Sequence, residues 1–272
     1  MPPKISIVTA VYNGETYLEQ SISSMLSQTF DGFEFIIVDD GSTDNTLQKL
    51  QQIDDPRIRI IHQENQGQTQ ALIHGIEQAF GELIARMDAD DYSLPDRLMQ
   101  QVEFMDAHPK VVFCGSRWEE LYGENLYPQQ VQFAQTNSEI KNIISCFNPF
   151  AHSAVVFRRE DYLKVGGYNK KFIIGMDYDL WVRLMEIGEA YNIDEVLTII
   201  RVHEQSISMR QSRLTTLEGI KIRSRAYSKF GGELFLTGML FLKSLMALVL
   251  PRWLKALFHK IEITIHRRGR KP

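Results

Sequence analysis

Short apolar runs alternate along the chain with longer stretches whose apolar positions recur at helical spacing. Residues 4–11, 34–39, 57–62, 83–87, 111–117 and 153–158 are brief and rich in Val, Ile and Phe, which predicts strands. Between them, 15–28, 43–52, 68–79 and 95–107 carry a 3.6-residue period, which predicts helices. In the first, Tyr17, Ile22, Met25 and Leu26 share the helical spacing while Glu15, Glu19, Gln20 and Ser23 fill polar positions. Ser42-Thr43-Asp44 reads as the cap of the second, and Pro95 suits the first turn of the fourth. This alternation predicts an α/β sheet with crossover helices, parallel at least in its N-terminal half. Ligands of such sheets bind beyond the carboxyl ends of the strands.

Acidic residues gather at those ends. The run 34–39 leads into Asp39-Asp40-Gly41-Ser42-Thr43-Asp44. A capped turn accounts for Ser42 and Asp44, but not for two adjacent acids at the edge of a core. The run 83–87 ends in Asp88-Ala89-Asp90-Asp91. Alternate side chains of extended backbone share a face, so Asp88 and Asp90 can converge on one ligand. Their hard oxygens suit Mg²⁺ or Mn²⁺; the alternative is a solvated acidic loop. The third acidic segment is Gly175-Met176-Asp177-Tyr178-Asp179-Leu180-Trp181, ahead of helical spacing at Leu180, Leu184 and Ile187. Asp179 suits a helix cap. Asp177, expected just outside the helix, is either a second capping residue or a general base facing the cleft.

Four ordered segments resemble the family 2 glycosyltransferases of the GT-A fold. They are Ile5-Ser6-Ile7-Val8-Thr9-Ala10-Val11-Tyr12-Asn13, Ile37-Val38-Asp39-Asp40-Gly41-Ser42-Thr43-Asp44, Met87-Asp88-Ala89-Asp90-Asp91 and Asp177-Tyr178-Asp179-Leu180-Trp181. The likeness covers roughly residues 3–210. It implies a mixed central sheet flanked by helices, with a C-terminal helical extension. It also implies a nucleotide-sugar donor, usually a UDP-sugar, a divalent metal, and inverting transfer of a hexosyl or N-acetylhexosaminyl group. By position, Tyr12 would stack on the nucleobase, Asp40 would bond the base, and Ala10 and Asn13 belong to the donor-contacting segment. Asp88 would lie near the ribose or sugar, Asp90 would bind Mn²⁺ or Mg²⁺, and Asp177 matches the base of inverting members.

Softer likenesses accompany these. Asn148-Pro149-Phe150-Ala151-His152-Ser153 places His152 either toward donor or acceptor or in a structural role. Arg201-Val202-His203-Glu204-Gln205-Ser206-Ile207-Ser208 resembles a loop that closes over the diphosphate, where Arg201 and His203 would offset charge; the alternative is a solvated basic loop. Ile73-His74 stands where relatives often carry Asn-Arg, which leaves the sugar pocket unassigned.

Charge divides the 272 residues in two. Residues 1–204 carry 16 bases against 31 acids, and 205–272 carry 14 against 3, although the whole chain is only −4. The division is expected at 1–210 for the catalytic domain and 211–272 for a basic, apolar helical extension. Leu234 to Leu250 is apolar but interrupted by Lys243, and Leu254, Leu257, Phe258, Ile261 and Ile265 recur opposite Arg252, Lys255 and Lys260. An interfacial anchor on an anionic membrane fits this pattern, the alternative being helices packed on the domain or on a second copy in a homodimer. No aromatic-basic interleaving points to nucleic acid. Two cysteines exclude a disulfide framework, and Met1-Pro2-Pro3-Lys4 opens no leader, so a cytoplasmic body peripheral to the inner membrane face is expected.

The acceptor implied by the resemblance is a glycan or lipid-linked oligosaccharide in cell-surface polysaccharide synthesis. Two other readings stand beside it: a sugar-1-phosphate nucleotidyltransferase, and a non-catalytic membrane-associated binding protein of the same fold. The first should carry a Gly-rich basic loop after the first strand, where this chain has Thr9-Ala10-Val11-Tyr12-Asn13-Gly14-Glu15.

Overall fold

Apolar residues in the first strands fall on both faces, and each face is covered. The computed structural model describes residues 2–203, 213–232, 237–239 and 242. Strands β1 (Ile5–Val11), β2 (Phe33–Asp39), β3 (Ile58–His62) and β4 (Leu83–Arg86) pair in parallel in the order β3-β2-β1-β4. Ile5 and Ile7 of β1 pack with Phe35 and Ile37 of β2 under helices α1 (Leu18–Leu26) and α4 (Arg97–Ala107). Val8 and Ala10, one residue out of phase, join Ile36 and Val38 under α3 (Gln68–Glu77). A strand covered on both faces has no polar alternation to show, which is why these read as unbroken apolar runs. The short α2 (Thr46–Gln51) completes this half.

Beyond β4 the sheet becomes mixed. The path continues β4-β8-β6-β9-β5, through β8 (Val156–Arg158), β6 (Val111–Tyr122), β9 (Glu189–Val202) and β5 (Tyr92–Ser93), with β7 (Asn125–Pro128) hairpinned onto β6. β8 runs antiparallel to β4 and β6, while β9 runs parallel to β6. The anticipated α/β sheet, parallel in its N-terminal half and mixed overall, is present. The strand expected over 153–158 is shorter, because His152–Ala154 form a 3-10 turn first.

Three helices, α5 (Asn137–Ile143), α6 (Arg159–Lys164) and α7 (Met176–Leu184), pack around the second half. Trp181 of α7 is fully buried and stacks on Phe113 of β6 at 5.0 Å between centroids. Helix α8 (Arg213–Phe230) lies along α7 and buries Ile222 and Ala226 in the same core. Among the described residues, no helix is long and apolar enough to cross a membrane. The anticipated apolar segment 234–250, apart from 237–239 and 242, and the amphipathic segment 252–271 lie outside the described residues. Cys114 and Cys146 are buried and unbridged.

Candidate active site

The carboxyl ends of β1 and β2 open onto one side of the sheet. Ala10 is buried opposite Val38, and Tyr12, just past β1, leaves half of its surface exposed at 52%. Asn13 holds φ at +52°, and its Oδ1 accepts from the Thr43 N–H at 2.8 Å. Its own N–H donates to Ser42 Oγ at 2.9 Å. Asn13 therefore ties the β1 loop to the β2 loop. Ser42 is thus engaged by Asn13 rather than capping α2, while Asp44 Oδ1 accepts the Thr46 N–H at 3.0 Å.

Asp40 is buried and turned toward residues 63–67. Oδ1 accepts from Gln63 Nε2 at 2.7 Å and the Gln66 N–H at 2.9 Å, and Oδ2 from the Gly67 N–H at 2.8 Å. Since Gln63 donates its amide to Asp40, its Oε1 faces His74 Nδ1 at 2.8 Å, which places the imidazole proton on that nitrogen. His74, half of the unusual Ile73-His74 pair, thus braces Asp40 through Gln63. Asp39 is fully buried and pairs with His62 Nδ1 at 2.7 Å.

After β4 three acids crowd together, the first of them against a fully buried arginine. Arg86 donates to both the Met87 carbonyl and Asp88 Oδ1. Asp88 Oδ1 also accepts from Gln68 Nε2 at 3.0 Å. Burial pushes the Asp88 carboxyl up, but the Arg86 charge, with hydrogen bonds from Ser153 and Arg86, outweighs it and holds the group below its ordinary value. Burial and the Asp88 charge raise Asp90, against a hydrogen bond from His203. Burial and both neighbouring acids hold Asp91 well above the usual carboxylate range. Ser153 Oγ lies 3.0 Å from Asp88 Oδ2 and 2.5 Å from Asp91 Oδ2. One hydroxyl proton cannot serve both acids at once, and the raised proton affinity of Asp91 suits its carboxyl to supply the second.

β9 returns the chain to this cluster. The Arg201 N–H donates to Asp91 Oδ1 at 2.8 Å, and its Nε donates to the Asp90 carbonyl at 3.1 Å. The guanidinium lies over the Tyr17 ring at 4.3 Å and reaches Gln20 Oε1. His203 Nε2 sits 2.9 Å from Asp90 Oδ2. The anticipated loop at 201–208 is corrected here, because Arg201 and Val202 end a strand. Cross-strand pairing with β6 over residues 117–122 holds them there. Residues 204–208 lie outside the described residues.

Asp177 comes from α7, the helix that packs Trp181 against Phe113 of β6. It is the second residue of α7, not outside the helix, and its Oδ2 accepts from Asn148 Nδ2 at 2.9 Å. Burial and the Asp88 charge push its carboxyl up to about 6, against backbone N–H groups and Asn148. Asp179 does not cap the helix as expected; it is buried and paired with Arg183, Nε to Oδ2 at 2.8 Å. His152 meets Tyr168 at 2.7 Å between Nε2 and the hydroxyl. Burial and Arg86 push the imidazole down to about 3, so it stays neutral.

The family model described as glycosyl transferase family 2 matches residues 6–167. The chain belongs to that family. It is similar to the amylovoran biosynthesis glycosyltransferase AmsE of Erwinia amylovora, 30% identical over 76% of this chain and 79% of that one. It is also similar to the O-antigen biosynthesis glycosyltransferase WbnJ of Escherichia coli, 32% identical over 74% and 81%. Among solved structures it resembles S. aureus TarS in complex with UDP-GlcNAc, with a TM-score of 0.70 and 19% identity over 90% of this chain and 73% of that one. A mannosyltransferase from Pyrobaculum calidifontis in complex with GDP-Man and Mn²⁺ matches with a TM-score of 0.59 and 17% identity, over 91% and 81%. These structural likenesses show the GT-A fold.

The chain is therefore a glycosyltransferase, and the nucleotidyltransferase and non-catalytic readings are set aside. In this glycosyltransferase, Asp88, Asp90, Arg201 and His203 come together in one cluster, with Asp177 near enough to feel the Asp88 charge. Tyr12, Asn13 and Asp40 form a second group around the β1 and β2 loops. Sequence reasoning missed Arg86, Gln68 and Tyr17. Arg86 alone left a signal: a charge inside the apolar run 83–87, two positions before an acid.

Proposed function

We propose that this enzyme transfers a sugar from a UDP-sugar to a hydroxyl of a glycan or lipid-linked acceptor, with inversion, in the synthesis of a surface polysaccharide. The observation that carries this reading is Asp177, a single carboxyl held near pH 6 by burial and by Asp88. A general base works best when its pKa lies near the working pH. Inverting displacement needs one base on the face opposite the leaving group, and a hydrolase would need a flanking pair. Asp177 takes the acceptor proton in this scheme, and Asn148 fixes its orientation by donating to Oδ2. Tyr12 offers an exposed ring for the base to stack on, and Asp40 keeps the adjoining 63–67 loop in shape for it. Arg201 and His203 offset diphosphate charge beside Asp88 and Asp90.

Asp90 Oδ2 and His203 Nε2 present an oxygen and a nitrogen donor side by side, a set that fits Mn²⁺ or Mg²⁺. The Asp88 charge raises the proton affinity of Asp90, and Asp88 and Asp90 together raise that of Asp91, an excess of negative charge that a cation relieves. Among the described residues no group of three or more His, Cys, Asp or Glu gathers into a metal cage. Mg²⁺-type sites commonly take one or two protein ligands and draw the rest from phosphate and water. When bound, such an ion would stabilise charge on the departing diphosphate as a Lewis acid.

The polysaccharide role rests on AmsE and WbnJ, whose names state amylovoran and O-antigen biosynthesis. Placement at the inner membrane face rests on the basic excess of 205–272. Purified protein titrated with a panel of nucleotide sugars, with and without Mn²⁺, tests the proposal. Saturable binding of a UDP-sugar with slow donor hydrolysis is expected, and absence of nucleotide binding under either condition overturns it.

A further inference from the structure

A side chain from α8 is built into the approach to Asp177. Glu218 is buried, and its carboxylate collects three consecutive backbone N–H groups: Ile173 on Oε1 at 2.9 Å, and Ile174 and Gly175 on Oε2 at 3.0 and 2.9 Å. These residues run directly into α7, whose second residue is Asp177. Their own side chains give little purchase, since Ile173 is 62% exposed. Thr69 adds an anchor at either end of the segment, its Oγ1 lying 2.7 Å from Met176 Sδ and 3.4 Å from the Phe172 carbonyl. Charged acceptors make the stronger hydrogen bonds, and three on one carboxylate fix the strand of backbone as one unit.

The fit is close as well as polar. A Cβ added at Gly175 would stand 2.8 Å from Ile222 Cδ1 of α8. At the far end of α7, Glu186 pairs with Arg225 at 2.7 Å and Lys229 at 3.1 Å. α8 is therefore clamped along α7 at two points, and only one of them lies at the base.

We propose that Glu218 is a positioning residue for transfer: it sets the location of Asp177 through the 173–175 backbone and so makes α8 part of the acceptor side of the site. This rests on Asp177 being the base. Glu218→Gln retains the length of the side chain but replaces one accepting oxygen with an NH₂ that faces backbone donors. The 173–175 unit is then held on one side only, while the nucleotide side, built from β1, β2 and β4, is untouched.

The test uses the full chain, with active sites counted by calorimetric titration with UDP and Mn²⁺. For Glu218→Gln, kcat per nucleotide-binding site should fall about tenfold or more, with nucleotide Kd within about twofold of the parent. Amide exchange of 173–177 should accelerate. The double variant Arg225→Ala/Lys229→Ala, which frees the other clamp, should keep kcat per site within about twofold of the parent. An unchanged kcat per site in Glu218→Gln overturns the proposal, as does an equal loss in the double variant. If Glu218→Gln does not fold, Glu218→Asp, which keeps the charge but withdraws the carboxylate by one methylene, carries the same expectation. Asp177→Asn separates the two readings: full transfer by that variant sinks the base assignment, whereas its inactivity beside an unaffected Glu218→Gln sinks this one alone.

Discussion

His203 Nε2 lies 2.9 Å from Asp90 Oδ2, across 113 positions of sequence. The contact joins the end of β9 to the turn after β4, and it defines the edge of the cluster where a diphosphate and cation are proposed to sit. Asp90→Asn and His203→Ala should each weaken Mn²⁺-dependent nucleotide binding by at least about tenfold, the range seen when a metal site loses even an outer partner. Calorimetry with UDP, with and without Mn²⁺, reads the effect. Metal-independent binding should be unchanged, and equal losses in both conditions would show general damage to the pocket.

Asp177→Asn should retain donor binding and lose transfer by about 10²–10⁴-fold, the range typical of a general base. Single-turnover transfer from the donor identified by screening is the measurement. Retention of more than a tenth of parent activity would remove Asp177 from that role.

The pH dependence has a defined sign. Asp177 must be ionised to accept a proton, so kcat should fall as pH drops through about 6. Its effect on stability runs the other way. A carboxyl whose folded pKa is raised above 3.8 favours the fold most fully below that value, and this contribution is lost as pH rises through about 6. Asp177→Asn should therefore remove the acidic limb of the residual rate and flatten that part of the stability profile, read by thermal melts between pH 4 and pH 7.

Arg86 is buried against Asp88 with no exposed surface. Replacement by Met leaves an ionised carboxyl without its principal counter-charge, and breaking a buried pair on one side typically costs about 3–5 kcal/mol. Arg86→Met should lower the midpoint of urea unfolding, and the Asp88→Asn/Arg86→Met double variant should recover part of the loss. Additive losses would show that the pair is not coupled.

Gly41 holds φ at +74°, and a Cβ there would meet the Asn65 backbone nitrogen at 2.8 Å. Gly41→Ala should destabilise the protein by about 1–3 kcal/mol. It should also weaken nucleotide binding, because residues 63–67 are the ones Asp40 holds. Unaltered affinity would separate that loop from the base pocket.

Much of the site was legible because its parts sit where apolar runs stop. β1, β2 and β4 are covered on both faces, so each shows as a continuous apolar stretch whose end marks the cleft. β9 gave no such mark: Asn192, Asp194 and Glu195 interrupt it, and its pairing with β6 carries register shifts around Ser116 and Arg117. The carboxyl of Asp177 was found by motif, but its place inside α7 was not, because Gly175 begins the helix without a side-chain cap. Glu218 left no sign at all. Its three partners are backbone groups, which every sequence has, and only tertiary packing brings them to one acid.

Arg201 touches Gln20 across 181 positions and lies over Tyr17, so β9 closes on α1. A chain leaving the ribosome at roughly 5–20 residues per second exposes its N-terminal motifs many seconds before residue 201 appears. Through that interval the acids after β4 have Arg86 beside them in the chain but neither Arg201 nor His203. The order of synthesis itself thus keeps the unfinished chain from assembling its charge cluster until β9 is made.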